Sequence, residues 1–377
     1  MKADQAGQPA DPPKRVPAAK DRPQPVVVMM RDVKSRPVKW FWNPWIPCQA
    51  ITILEGDPGV SKSTLTIDLA ARASRGWRMP PEGGPEEGQE PAGVLILSAE
   101  DTAEDTIKPR LYAAEADMNR VGVLCAIRGA DGADEMPPVI PFHVPEIETA
   151  MKAVGASLII VDPLMSYLDG DVNTHNDHDV RRALHQMKLL AERTGAAVLI
   201  VRHLNKMTGG PAMYRGGGSI GIIGAARSAM LAGNDPTDPQ YRVLAPIKNN
   251  LAPLPPSLRY KVEQTTVPMD VGGTTSISRI GWIGECDVTA QDLSAKPQSG
   301  QTESRADQCA AVVRQVLANG RVVLVDVLNQ QLRAAGFADN AIEKGKKTAG
   351  VKTNKAGFGS AGHYARIPPP TGGPIPD

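Results

Sequence analysis

The stretch 51-ITILEGDPGVSKSTLTIDLAARASRG-76 sets a lysine and two hydroxyl residues directly after a Gly/Pro-rich turn. Its core runs Gly56, Asp57, Pro58, Gly59, Val60, Ser61, Lys62, Ser63, Thr64. These residue types suit phosphate binding. Backbone N–H groups of a turn that opens a helix converge on phosphate oxygens, and the helix dipole favours the negative charge. Lys62 would reach the β- and γ-phosphates of ATP, and the Ser63 hydroxyl would ligate Mg²⁺. A lysine has the wrong charge for a helix start unless an anion sits there, which favours a phosphate cradle over an ordinary turn. The pattern departs from G-x-x-x-x-G-K-[ST] at Ser61, where glycine is usual. Glycine serves there because the backbone approaches the phosphate closely. Ser61 therefore predicts retained ATP binding and slower hydrolysis than a glycine version would show.

Three further stretches carry chemistry. In 158-LIIVDPLMSYL-168 an apolar run ends in Asp162, a carboxylate suited to holding a metal through water. In 94-VLILSAEDTAEDTIKPRL-111 an apolar run delivers Ser98, Glu100 and Asp101 to its C-terminal end. Water attack on a γ-phosphate needs a positioned carboxylate, and Glu100 is the candidate. Asp101 or Thr102 would cap the helix that follows. In 196-AAVLIVRHLNK-206, His203 follows a buried strand expected beside the Asp162 strand, where it could sense the γ-phosphate.

These residues need a scaffold that brings strand ends together. ITILEG, GVLILS, VGVLCAI, SLIIVDPL and AAVLIV read as buried strands, with STLTIDLAARASRG and 178-HDVRRALHQMKLLAERTG-195 as helices. Residues 103–116 read as helical, broken near Pro109. Buried strands alternating with helices imply an α/β fold with a mostly parallel sheet. From about 225 to 283, AARSAMLAG, YRVLAPIK, LRYKVE and ISRIGWIG suggest antiparallel strands that extend one edge. The segment 38-VKWFWNPWIP-47 holds three of the five tryptophans and reads as a hydrophobic clamp on the sheet.

The order GDPGVSKST, LILSAED, LIIVDP, VRHLNK, RGGGSIGIIGAARSAM and PIKNNLAP resembles the RecA-like AAA-family ATPases of plasmids and phages. That group includes the RepA-type hexameric replicative helicases and is related to DnaB. The resemblance covers roughly residues 35–285. It implies a RecA-like P-loop NTPase with ATP and Mg²⁺ as cofactors, Lys62 and Ser63 at the Walker A positions, Glu100 as catalytic glutamate, Asp162 as Walker B and His203 as sensor. It also implies that Arg227 is the arginine finger reaching a neighbouring subunit's γ-phosphate and that Lys248 is a second trans-acting cation. The residue pattern alone marks neither, since both read equally as strand-edge charges. The partners implied are single-stranded DNA, further copies of the chain in a ring, most naturally a hexamer, and other replication proteins.

Two loops are candidate DNA contacts. The glycine-rich 206-KMTGGPAMYRGGGS-219 carries Lys206 and Arg215, which suit backbone phosphates. The loop 169-DGDVNTHNDHDVRR-182 is mostly acidic, so only Arg181 and Arg182 at its end fit that role.

Residues 1–25 lack a core's composition and read as a disordered tail, 26–286 as the ATPase domain and 287–304 as a linker. Residues 305–367 resemble the winged-helix unit often attached to this family, followed by a tail at 368–377. Within that unit Lys344, Lys346 and Lys347 form a basic patch and a further DNA-binding candidate, although Gly345 weakens the helix expected there. Net charge is +1, so any nucleic-acid surface is local. Four scattered cysteines without a C-x-x-C pair argue against a disulfide frame or zinc ribbon. No apolar run spans a bilayer and no signal core is visible, so a cytoplasmic protein without membrane contact is expected. The leading expectation is an ATP-driven DNA motor of the replicative-helicase kind. Alternatives are a RecA-like recombination or regulatory ATPase without processive unwinding, and a DNA-binding replication protein whose ATPase Ser61 impairs.

Overall fold

The computed structural model describes residues 25–81, 88–129, 132, 134–174, 176–204, 221–295, 305–318, 321–355 and 363–366. The tryptophan segment forms a small antiparallel pair, β1 (Trp40–Trp42) and β2 (Ile46–Pro47). Trp42 and Trp45 are buried and stack with ring centroids 5.1 Å apart, as the clamp expectation required.

The alternating region then runs β3 (Ile51–Gly56), α1 (Lys62–Arg75), β4 (Gly93–Ser98), α2 (Lys108–Ala113) and β5 (Val121–Val123). A minor pair, β6 (Ile127–Arg128) and β7 (Glu135–Met136), precedes α3 (Val144–Val154). Next come β8 (Ala156–Asp162), α4 (Asp177–Thr194), β9 (Ala197–His203) and α5 (Gly221–Ala225). The antiparallel run is β10 (Ser228–Asn234), β11 (Tyr241–Asn249), β12 (Ser257–Pro268) and β13 (Thr274–Cys286). A short helix, α6 (Ala290–Ser294), follows it.

One sheet of nine strands takes the order β13-β12-β11-β10-β3-β9-β8-β4-β5. The pairs from β10 through β5 are parallel, and β10 to β13 are antiparallel. This is the mostly parallel α/β sheet with one antiparallel extension that the strand pattern implied. Apart from the half-buried edge strand β5, the parallel strands are largely buried on both faces, which is why they read as unbroken apolar runs. α1 and α2 cover one face through Leu65, Leu69 and Leu111. α3, α4 and α5 cover the other through Ile147, Leu184 and Ile222. Truncating any one of these fully packed side chains to alanine would cost about 2–5 kcal/mol.

Helix α1 is also tied to the far strands by polar contacts. Buried Asp68 accepts from Arg72 Nε at 2.9 Å and from Trp282 Nε1 of β13 at 2.8 Å. Burial pushes the Asp68 carboxyl up, against the pull of Arg72. On the other face Glu55 and Arg202, register partners on β3 and β9, form a buried pair at 3.7 Å.

Three differences from the sequence reading have local causes. The expected break near Pro109 lies before the proline: residues Ala103–Ile107 form a π-type turn, and Pro109 sits in the first turn of α2, where no N–H is needed. Helix α6 lies inside the expected linker, held by a capping box between Thr289 and Asp292. Helix α3 was not read at all.

The C-terminal unit contains α7 (Arg305–Val316), β14 (Val323–Leu324), α8 (Val325–Ala334), α9 (Asp339–Thr348), β15 (Lys352–Lys355) and β16 (His363–Arg366). Its strands form an antiparallel sheet in the order β14-β16-β15. Cys309, Val313, Leu328, Leu332 and Ile342 make its own core. Gly345 does not break α9. A Cβ there would lie 2.8 Å from Cys309 Sγ, so the glycine lets α9 approach α7 closely. Among the described residues no helix is long and apolar enough to cross a membrane.

Candidate nucleotide-binding site

The turn after β3 owes its shape to a few contacts. A Cβ on Gly56 would meet the Ala232 carbonyl oxygen at 2.3 Å, so only glycine lets β3 end flush against β10. Gly59 lies at φ +83°. Ser61 adopts φ 65°, ψ 34°, a left-handed conformation that L-residues other than Gly, Asn and Asp rarely take. The loop backbone is fixed from outside by Tyr260, whose hydroxyl donates to the Val60 carbonyl at 3.0 Å. Lys62 Nζ donates to the carbonyls of Gly56 (2.8 Å) and Asp57 (2.9 Å), which closes the turn on itself. The first helical bond runs from Leu65 N–H to Ser61 C=O, so the N–H groups before it point into the turn.

Parallel pairing brings the other strand ends level with this turn. Gly56 is in register with His203, and Ser98 with Asp162. β9 lies between β3 and β8, so His203 stands between the turn and Asp162, as expected from the sequence. Asp162 is buried and bonded to the Ser63 hydroxyl. Burial pushes its carboxyl up; the Ser63 bond and Lys62 oppose the shift, and Glu100 and Asp101 add to it. Burial likewise holds the Lys62 ammonium below its usual value, with Asp162, Asp57 and Glu100 pulling the other way. Glu100 follows β4 and faces His203, with Oε1 at 3.4 Å from Nε2. Its side chain is 61% exposed, so solvent reaches it. Thr102 takes the cap, accepting from Asp105 N–H, while Asp101 pairs with Arg110 at 2.6 Å.

The donor set at the centre fits Mg²⁺. Ser63 hydroxyl and Asp162 carboxylate are hard oxygen ligands already in contact, and Mg²⁺ takes one or two protein ligands alongside water and phosphate oxygens. The turn brings together backbone donors, a helix start and a lysine, the groups that bind a polyphosphate.

The structure does not bring every candidate to this place. Arg227 N–H bonds to the Ile51 carbonyl at the start of β3, whereas the turn begins at its other end. Five residues of strand separate the two, about 17 Å. Lys248 lies near Arg227, its Nζ donating to Ile223 and Ala226 carbonyls at 2.8 Å each. Sequence reasoning grouped Arg181 with a DNA loop, but its guanidinium packs on Gly224, beside Lys248. No spacing signal marks that contact, which joins α4 to α5. Lys206 and Arg215 lie outside the described residues. In the C-terminal unit, Lys346 is engaged by Glu343 at 2.9 Å and Asn329 at 3.1 Å, leaving Lys344 and Lys347 exposed.

A family model for the AAA domain matches residues 17–209, about half of the chain. The chain belongs to the AAA-domain family. The matched span of this AAA domain holds Lys62, Glu100, Asp162 and His203; Arg227 and Lys248 fall beyond it. The chain is also similar to the DNA repair protein RadA of Halalkalibacterium halodurans, with 23% identity over 193 residues. The alignment covers 49% of this chain and 36% of RadA, so the chain spans about a third of that curated relative. Sheet, turn and family together make this AAA-domain protein a RecA-like P-loop ATPase.

Proposed function

We propose that this protein couples ATP hydrolysis to work on DNA, as a ring-forming motor of the replicative-helicase kind found on plasmids, phages and mobile elements. The observation that carries the reading is the convergence of Lys62, Ser63, Asp162, Glu100 and His203 at level strand ends. Lys62 exchanges its two carbonyl partners for β- and γ-phosphate oxygens. Ser63 and Asp162 would hold Mg²⁺, which when bound would neutralise charge on the phosphates. Glu100 orients the attacking water, and its exposed face leaves room for one. His203, touching Glu100, reports phosphate occupancy to the loop that follows it. Arg227 and Lys248 are too far from their own turn to serve it and act on the site of an adjacent subunit. This makes the site complete only in an oligomer, with a hexameric ring the natural closed form.

Single-stranded DNA would meet Lys206 and Arg215 in the loop after His203, and the exposed Lys344 and Lys347 of the C-terminal unit. Three helices and a three-stranded antiparallel sheet suit that unit to a winged-helix role. The similarity to a DNA repair protein favours a second reading, a recombination or regulatory ATPase that binds DNA without processive unwinding. Mg²⁺-dependent ATP hydrolysis with and without single-stranded DNA tests the ATPase reading. Strand displacement of a forked duplex separates the two: displacement supports the motor, and DNA-stimulated hydrolysis without it supports the second reading.

A further inference from the structure

The residue before the end of β3 and the residue before the end of β9 are both charged, and the phosphate chemistry uses neither. Glu55 alternates with Ile51 and Ile53, and Arg202 with Val198 and Ile200, on the apolar face that α3, α4 and α5 cover. They are register partners on neighbouring central strands, both buried, with Arg202 Nη1 3.7 Å from Glu55 Oε2. Burial lowers the Arg202 guanidinium from its ordinary value, and the Glu55 charge pulls it back up. Two ions in an apolar layer are a poor source of stability, because an apolar pair of similar size often does as well or better. Their place in the chain is the informative fact: Gly56 of the phosphate turn follows Glu55, and His203 follows Arg202.

The rung just beyond the pair joins the turn to the histidine. The Gly56 carbonyl accepts twice: from Lys62 Nζ at 2.8 Å, and at 3.3 Å from the N–H of Leu204, the residue after His203. The second bond is long for an N–H···O contact, as expected where the acceptor is shared with an ammonium. A phosphate that draws Lys62 away leaves this carbonyl to Leu204, and the bond tightens. That moves the backbone carrying His203, whose ring meets Glu100. The movement reaches the histidine only if β3 and β9 hold their register. A slip would set each charge against an apolar residue, so the Glu55–Arg202 pair fixes that register.

We propose that Glu55 and Arg202 are positioning residues: their pair locks the ends of β3 and β9 together, so that a phosphate in the turn shifts His203 against Glu100 through the shared Gly56 carbonyl. This rests on the ATPase reading above and adds the route by which occupancy reaches the histidine. Neither side chain acts on the phosphates itself; both act through Leu204 and His203.

The test uses the full chain with Glu55→Leu and Arg202→Met combined, which removes both charges and keeps an apolar volume. This double variant should melt at or above wild type and bind Mg-ATP within about threefold of wild-type affinity. In wild type, Mg-ATP slows amide hydrogen exchange at Leu204; in the double variant it does not. The DNA-stimulated hydrolysis rate falls about tenfold. Adding His203→Gln lowers it no further, because the pair acts through that residue. Glu55→Gln, which keeps the side chain's shape, shows the same losses and serves if the double variant does not fold. Arg202→Lys, which keeps the charge, recovers part of the ATP-dependent protection. No such protection in wild type, or equal protection in the variants, overturns the proposal. So does a loss of ATP affinity in step with the rate, which makes the pair a scaffold for the turn alone, and so does an additive effect of His203→Gln. If wild type binds ATP and protects Leu204 only with the pair intact, yet hydrolyses none, the ATPase reading fails and the positioning role stands.

Discussion

His203 Nε2 lies 3.4 Å from Glu100 Oε1, across the mouth formed by the ends of β9 and β4. Among the described residues, the other ring nitrogen, Nδ1, is buried without a hydrogen-bond partner. The histidine thus has one end on the candidate water-positioning carboxylate and the other buried. Glu100→Gln should lower the ATP hydrolysis rate by about 10²–10⁴-fold while leaving ATP affinity near wild type. His203→Gln should keep basal hydrolysis within a few-fold but remove its stimulation by single-stranded DNA. Steady-state rates with and without an oligonucleotide, beside equilibrium ATP binding, check both. Equal stimulation of wild type and His203→Gln would remove the sensor role.

Ser61 answers for the unusual turn. Its left-handed backbone costs an L-residue about 1–2 kcal/mol, which glycine does not pay. Against that, glycine loses more chain entropy on folding, about 0.5–1 kcal/mol. Ser61→Gly should therefore be neutral to slightly stabilising by thermal melting and should hydrolyse ATP faster. Ser61→Val, with a branched Cβ in the same conformation, should destabilise by about 2 kcal/mol or more. A valine variant as stable as wild type would mean the turn does not hold this backbone.

Asp162 predicts a pH signature. Burial raises its folded pKa above the ordinary 3.8, so the native state holds this proton more tightly than the unfolded chain does. The resulting stability is fully present below 3.8 and is lost as pH rises through the elevated value. Asp162→Asn keeps an acceptor for the Ser63 hydroxyl and carries no such loss. It should melt higher than wild type at pH 7, with the gap closing on acidification, and it should lose Mg²⁺-dependent hydrolysis. A gap that widens towards low pH would contradict the sign.

The sequence revealed more of the parallel half than of the rest, for physical reasons. Strands buried on both faces read as apolar runs, so LIIVD and AVLIV were visible and so was the chemistry at their ends. Thr102 and Asp101 could not be separated as caps from sequence, because the choice depends on Arg110 drawing Asp101 away. Arg181's contact with Gly224 was not legible, because that partner is 43 residues on and has no side chain to advertise a contact. Gly345 looked like a helix breaker because propensity knows nothing of Cys309 lying against it. In each case the deciding contact is tertiary.

The Gly345 contact is itself testable. Gly345→Val should destabilise the C-terminal unit by about 1–3 kcal/mol through overpacking against Cys309. ATP affinity, which depends on the turn after β3, should not change. Limited proteolysis of residues 305–366 alongside nucleotide binding reads the two separately, and unchanged protease resistance would show that α9 does not need the glycine.

The central claim is that the turn around Lys62 is a working ATP site coupled to DNA. Lys62 links the carbonyls that close the turn and carries a charge that would meet the phosphates. The most direct measurement is ATP hydrolysis by wild type and Lys62→Ala, with Mg²⁺, in the presence and absence of single-stranded DNA. Wild type should hydrolyse ATP and be stimulated by DNA, and Lys62→Ala should do neither. Equal rates from the two proteins, with DNA making no difference, would contradict it.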